Sequence, residues 1–299
     1  DRRSHDAHCP DRRRLTRGIQ KLPLGELFCV WYNDRVKGGG RLDRQEEETL
    51  LLRTARLASA LVLEYGGETF RAEETALRIC RHFGMPEIDV FAVPTGLFLS
   101  VGDESGRHQT VVRRVRRRSI DLSRLDAINA ISRSIEAGER TLPKAYRDLR
   151  EVADRPSKPQ WQLCLAAALS SGFFAVMFGG RALEFAVAAL CGVLVQALGG
   201  LTRRADAHQV LLSLLGSMAI VLVALGFVGL TGYGNAEAMI AGAIMPLLPG
   251  LAMTNAIRDA VQGDLLSGVT RAAEALLTAA SLAAGAGLML LAFRALGWR

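Results

Sequence analysis

From Gln45 to Tyr65 apolar residues return at helical intervals, with Leu50, Leu51, Ala55, Leu57, Ala58, Leu61 and Val62 on the stripe. Gly66-Gly67 stops that helix. A second helix is predicted from Phe70 to Phe83, with Gly84 as its C-terminal stop. The pattern then changes period. Asp89–Val93, Pro94-Thr95-Gly96 and Leu97–Val101 predict strand, turn and strand, or one strand kinked at Pro94, and Gln109–Val115 is a further β-rich run. Asp121–Glu136 returns to helical period, and Pro143 suits the first turn of a helix running to about Val152. These elements predict an α+β domain over residues 45–158, a small sheet covered by helices.

Beyond Pro156 and Pro159 the pattern loses its polar face. Apolar stretches follow at about 163–180, 183–202, 208–230, 236–256 and 272–293. Each is near the ~20 residues that cross a bilayer core. An all-round apolar helix can also be the centre of a large soluble fold. Five of them in succession leave too little polar surface to clothe such a core, so the expected class is a membrane protein. Its architecture is a bundle of five transmembrane helices over 159–299, preceded by a soluble α+β cytosolic domain.

Charge sharpens this division. Residues 1–160 carry 30 Lys/Arg and 24 Asp/Glu, whereas residues 161–299 carry 7 and 6. A soluble domain is roughly one-quarter charged, so the second part has a different solvent. The basic excess of the first part suits a cytosolic domain held against anionic lipid. Nucleic acid is the weaker reading, because neither zinc-knuckle spacing nor an RNP-like aromatic motif accompanies the charge. Residues 1–44 are Arg-rich, are interrupted by Gly38-Gly39-Gly40, lack the apolar core of a signal peptide and read as a disordered leader. The start without Met leaves a processed or truncated beginning open. Cys9, Cys29, Cys80, Cys164 and Cys191 form no CxxC pair, and neither a disulfide framework nor a metal site is expected.

The Lys/Arg bias between apolar stretches orients the chain. With residues 1–160 inside, Arg181 falls outside, Arg203-Arg204 inside and Thr231–Ala236 outside. The loop bounded by Arg258 and Arg271 then falls inside, and the C-terminus outside. The expected topology is multi-pass with a cytoplasmic N-terminus.

Candidate chemistry concentrates in Ala243–Asp264. Pro246 and Pro249-Gly250 interrupt an apolar stretch. Proline removes a backbone donor and frees carbonyls, which lipid does not satisfy. Such breaks are either packing kinks or the binding sites of transporters. If the helix resumes after Gly250, Thr254 and Arg258 share one face, with Asn255 and Asp259 on the next. Arg258 and Asp259 suit a carboxylate and an ammonium group, or each other's kind in a structural pair; interfacial anchoring is the bland alternative. Asp259, Asp264 and Glu274 are candidates for proton or ion coupling, and Arg271 is placed to pair with Glu274 or Asp264. Glu184 and Gln196 are the other polar groups inside apolar stretches, each with a local structural role open to it. Gly192, Gly199-Gly200 and Gly285/Gly287 read as helix-packing surfaces. In the first domain Glu64, Glu68, Arg71, Glu73 and Glu74 surround the Gly66-Gly67 break. Paired carboxylates can serve a hydrolase or a metal, yet no GxSxG, HExxH or phosphate loop accompanies them, and a solvated charged face with helix caps is the expectation. The arginines from Arg113 to Arg118 are expected to face solvent, headgroups or acidic side chains.

LVLEYGGETFRAEET, then DVFAVPTGLFLSV, then the Thr110–Asn129 run, and finally GAIMPLLPGLAMTNAIRDAVQGDLLSGVTRAAEALL resemble, in this order, the threonine/serine exporter family. The resemblance covers about residues 48–297. It implies export of a small metabolite, threonine or serine in some members and succinate-like dicarboxylates in others. The soluble domain with five spans is similar to the long subunit of a split pair, which implies a short four-span membrane subunit as partner. By motif position Glu64, Gly67, Glu68, Thr69 and Arg71 are characteristic of the soluble domain, without a catalytic role.

The expected function is therefore a non-enzymatic transporter subunit without cofactor or metal. Its substrate would bind around Pro246, Pro249, Gly250, Thr254, Asn255, Arg258 and Asp259. Its partners would be the short subunit, a small-molecule substrate and membrane lipids, with a homo-oligomer also compatible and nucleic acid not expected. The alternatives are a membrane-anchored hydrolase and a non-transporting scaffold or sensor.

Overall fold

The computed structural model describes residues 44–85, 87–102, 108–116, 118–204 and 209–297. The leader up to residue 43, with Cys9 and Cys29, and also Arg117, lies outside the described residues. Contacts divide the chain between Thr49 and Leu50.

Helix α1 (Arg44–Glu64) is buried on almost every side from Leu50 to Leu63. Even its polar Thr54 and Ser59 are covered; their hydroxyls donate to the carbonyls of Leu50 and Ala72, both at 2.7 Å. This is how polar side chains survive in a core. Helix α2 (Thr69–His82) packs Ala72, Ala76, Ile79 and Cys80 inward. Burial pushes the Cys80 thiol up to about 12, leaving it inert near neutral pH.

The hairpin reading holds rather than the kinked strand. Strands β1 (Glu87–Val93) and β2 (Gly96–Gly102) pair antiparallel with Val93 opposite Gly96, so Pro94-Thr95 is the turn. Strand β3 (His108–Arg114) completes a sheet of order β1-β2-β3. Ala92, Leu97 and Leu99 are fully buried on the inner face. On the outer face Phe91, Phe98 and Val112 stand in one cross-strand row and are about half exposed. The helices thus cover one face of the sheet, because the strands alternate in polarity as a half-buried sheet requires. Helices α3 (Leu122–Glu136) and α4 (Leu142–Asp154) add Ile128, Ile135, Leu149 and Val152 to this core.

The apolar region forms α5 (Gln160–Met177), α6 (Ala182–Arg204), α7 (Gln209–Thr231), α8 (Ala236–Ile244), α9 (Gly250–Val261) and α10 (Leu265–Ala295). Four of these are long and apolar enough to cross a membrane, and α8 with α9 makes a fifth if the bent pair counts as one span. Helix α10 begins at Leu265 rather than near residue 272. Leu265, Leu266 and Val269 already carry the apolar pattern, and Arg271 and Glu274 lie within the helix rather than at its start.

Ala175, Ala188, Cys191, Ile220, Ala224, Met239 and Ala243 make the packed centre of this region. Small residues let the backbones approach. A Cβ on Gly285 would collide with the Leu214 carbonyl oxygen, and one on Gly192 would fall 2.5 Å from that of Ala167. Gly287, predicted to pack similarly, has open space at its Cβ position. Glu184 has a structural role: its carboxylate accepts the backbone N–H groups of Arg181 (2.7 Å) and Asn235 (2.9 Å), tying two interhelical loops together.

Candidate functional site

The break between α8 and α9 is a change of backbone state. Met245–Leu247 tightens into a 3-10 turn, Leu248 is extended, and Pro249 precedes α9; the two helical pieces differ in direction by 49°. Pro246 and Pro249 each lack the N–H that an uninterrupted helix would need there.

On α9 the four predicted side chains separate. Thr254 is exposed, and its hydroxyl donates to the Gly250 carbonyl at 2.9 Å, within its own helix. Asn255 and Asp259 face inward, the latter 0 % exposed. Arg258 leans from the exposed face toward the same centre. That centre is the Gly66–Thr69 segment joining α1 to α2. Asn255 Nδ2 donates to the Gly66 carbonyl at 2.9 Å. Thr69 donates both its backbone N–H and its hydroxyl to Asp259, to Oδ1 and Oδ2 respectively, each at 3.0 Å. Arg258 pairs with Glu68, which Arg71 Nε also meets at 3.1 Å.

Helix α10 closes the cluster. Arg271 Nη2 donates to the Gly67 carbonyl at 2.8 Å. Its Nε stands 3.0 Å from Asp259 Oδ2, an ion pair by proximity whose N–H misses hydrogen-bond alignment. Arg271 is thus buried against Asp259 and pairs with neither Glu274 nor Asp264. Glu274 instead accepts from both terminal guanidinium nitrogens of Arg118, Nη1 at 3.0 and Nη2 at 2.5 Å. Glu68, predicted on a solvated face, is 6 % exposed. Burial is possible because Arg258 and Arg71 supply its counter-charges.

The local sequence explains why the segment can enter. Gly66 has φ of +86°, a left-handed conformation open to glycine. At Gly67 a Cβ would meet Val62 Cγ1 at 2.5 Å. Thr69 opens α2, whose N-cap Glu68 makes no side-chain cap bond. The first N–H groups of a helix lack internal partners, and Asp259, 190 residues away, takes one of them. The carboxylate also favours the positive end of the α2 dipole.

Beside this cluster lie Glu73 and Asp264. Glu73 accepts the Ala92 N–H at 2.8 Å. Burial pushes its carboxyl above the ordinary range, the Ala92 bond opposes this, and Asp264 and Asp259 add to the rise. Asp264 Oδ2 is buried without a hydrogen-bond partner. Among the described residues no three His, Cys, Asp or Glu side chains converge as a metal would require. Glu64 stays apart from the cluster, 3.7 Å from Arg113. Of the predicted residues, then, Glu68, Thr69, Asn255, Arg258 and Asp259 come together with Gly67, and Arg71 supports Glu68. Thr254, Glu64 and Glu274 do not join them. Sequence spacing marks Arg271 as a pairing group, and the structure adds it to this site.

Four or five apolar spans and a buried charged junction on a broken helix define a multi-pass helical membrane protein. Residues 53–293 match the family described as "Putative threonine/serine exporter", and the chain belongs to that family. It is 27 % identical over 283 residues to a "Probable threonine/serine exporter" of Mycobacterium tuberculosis, covering 92 % of this chain and 52 % of that protein. The chain thus spans about half the length of this curated relative. No solved structure matches it.

Proposed function

We propose that this chain is a subunit of an inner-membrane exporter that moves a small amino acid or dicarboxylate, of the threonine/serine or succinate class, out of the cytoplasm. The observation that carries the proposal is the broken α8–α9 pair, which bears Asn255, Arg258 and Asp259 immediately after Pro246, Pro249 and Gly250. Helix breaks with charged groups at their ends are where transporters hold charged substrates. Arg258 would take a carboxylate and Asp259 an ammonium group. Family membership supports export, and the name of the mycobacterial relative supports threonine and serine as the first substrates to try. Asp264, with its unpartnered buried oxygen beside Glu73 and Asp259, is the favoured residue for proton coupling.

In this reading residues 45–158 form a cytosolic domain and 159–299 the membrane domain, with the N-terminus cytoplasmic. The loops that Glu184 ties together would then lie at the outer end. A separate short four-span subunit completes the pathway. Support for a missing partner comes from the outward faces of the spans. Trp161, Leu165, Leu169 and Phe173 make an exposed apolar stripe along α5, and Leu276, Leu277, Leu288 and Leu291 are exposed on α10. Lipid covers such faces adequately; the half-length match to the relative favours further helices against some of them.

The test is efflux from cells loaded with labelled threonine, serine or succinate, expressing this chain alone or with the short subunit. Efflux that requires both and is lost in a stably inserted Arg258→Ala variant supports the proposal. Unimpaired efflux in that variant refutes the site, and no efflux of any of the three from an inserted pair refutes the substrate class.

A further inference from the structure

In the described arrangement no ligand from solution can reach Asp259. The carboxylate is 0 % exposed, and the groups against it are the Thr69 N–H, the Thr69 hydroxyl and Arg271. Arg258, its neighbour, is held by the carboxylate of Glu68. Two consecutive residues of the α1–α2 segment therefore present one carboxylate to the cation and one N–H with one O–H to the anion. A free hydroxy amino acid carries the same set of groups: a carboxylate, an N–H donor and a hydroxyl.

We propose that Glu68-Thr69 is an internal ligand of the broken-helix site, a latch that fills Arg258 and Asp259 until an external zwitterion displaces it. This rests on the reading of that site given under the proposed function. Three features of the segment suit release. Gly66-Gly67 provides a hinge, because two consecutive glycines reach backbone conformations closed to other residues and Gly66 already stands at φ +86°. Arg271 remains beside Asp259 when Thr69 withdraws, so the buried charge keeps a counter-ion. Arg71 remains with Glu68, so the departing carboxylate keeps one too. An occupied site lowers apparent affinity by the fraction of molecules that are open. Weakening the latch without touching Arg258 or Asp259 should therefore tighten binding. A purely structural contact would give the opposite sign, because loosening it would disorder the site.

The latch also separates ligand classes. A zwitterionic hydroxy amino acid replaces both the Glu68 and the Thr69 contacts. A dicarboxylate offers Asp259 no donor, and it competes with Glu68 alone.

The experiment uses the full chain in lipid nanodiscs, wild type and Glu68→Gln, with Thr69→Val as a second loosening variant. Calorimetric titration with threonine and with succinate is combined with amide hydrogen exchange of the peptide spanning residues 64–71. The expected result is faster exchange at residues 66–69 on adding threonine. It includes threonine binding about tenfold tighter in Glu68→Gln, the scale of one weakened charge-assisted hydrogen bond. Threonine binding with unchanged exchange at 66–69 overturns the latch, as does weaker binding in Glu68→Gln. If neither variant speeds exchange there, the contact is a static one and the latch is likewise overturned. If a variant opens the segment and still binds neither ligand, the substrate site itself is refuted, and the latch with it.

Discussion

The Asp259–Arg271 pair can be tested by a double-mutant cycle whose members differ in what they leave buried. Asp259 is 0 % exposed and Arg271 8 %. In Asp259→Asn the new amide can still accept the Thr69 N–H with Oδ1 and donate to the Thr69 hydroxyl, but Arg271 is left without its counter-charge. In Arg271→Met the Asp259 carboxylate keeps its two Thr69 donors and loses its cation, and the Gly67 carbonyl loses its donor. Removing one partner of a buried pair costs about 3–5 kcal/mol. Each single variant should therefore lower the melting midpoint by roughly ten degrees. The double variant retains the neutral Asn–Thr69 bonds, contains no unpaired charge and should cost only about 1–2 kcal/mol, since exchanging both members of such a pair is often near neutral. The coupling between the two positions is then about 4 kcal/mol or more. Melting of the purified protein in detergent, followed by loss of the monodisperse peak in size-exclusion chromatography, reads all four corners. Additivity of the two single effects to within about 0.5 kcal/mol would refute the argument that these charges hold one another in the folded protein.

Three further outcomes follow from the same geometry. Glu73 has its carboxyl raised by burial, so its contribution to stability is present below the ordinary carboxylate range and is lost as pH rises through the raised value. Glu73→Gln, which keeps an acceptor for Ala92, should flatten the fall in melting midpoint as pH rises above the ordinary carboxylate range and exceed wild-type stability at the upper end; unchanged pH dependence counts against it. Gly67→Ala should destabilise by about 1–3 kcal/mol, because its Cβ has no room beside Val62, and a midpoint equal to wild type would contradict this. Phe91→Ser with Phe98→Ser should change stability by less than about 0.5 kcal/mol each, since both side chains are half exposed; a large fall in midpoint would mean that something covers the sheet.

Much of the fold was legible because its signals are local. The stripe on α1, the stop at Gly66-Gly67, the Pro94-Thr95 turn and the proline break all act within one turn of backbone. The observed bounds of α1, α2 and α3 fall within about one residue of those read from the pattern. The start of α10 is not legible in the same way, because Arg271 and Glu274 look like boundary charges in the sequence. Their partners, Asp259 and Arg118, come from other elements, and no periodicity reports a partner 156 residues away. The same limit hid the role of Glu68. Its charge suggested solvent, whereas Arg258 makes its burial possible. The motif around Gly66-Gly67 and the motif around Pro249 were each conspicuous, but their meeting is a tertiary fact. A hint was available in charge: each motif carries an adjacent acid and donor, or cation and acid, in complementary order.

The capping of α2 by Asp259 bears on how the protein is made. A ribosome completes residues 50–158 before α9 exists, so the nascent chain has at Thr69 a helix start whose partner is still unsynthesised, and at Gly66 and Gly67 two carbonyls in the same condition. Water can serve those groups for a time, but native packing around the segment has to wait for translation past Arg271. Final packing around residues 66–69 is thereby tied to the arrival of the last helices, and until α9 and α10 are in place the start of α2 stays uncapped.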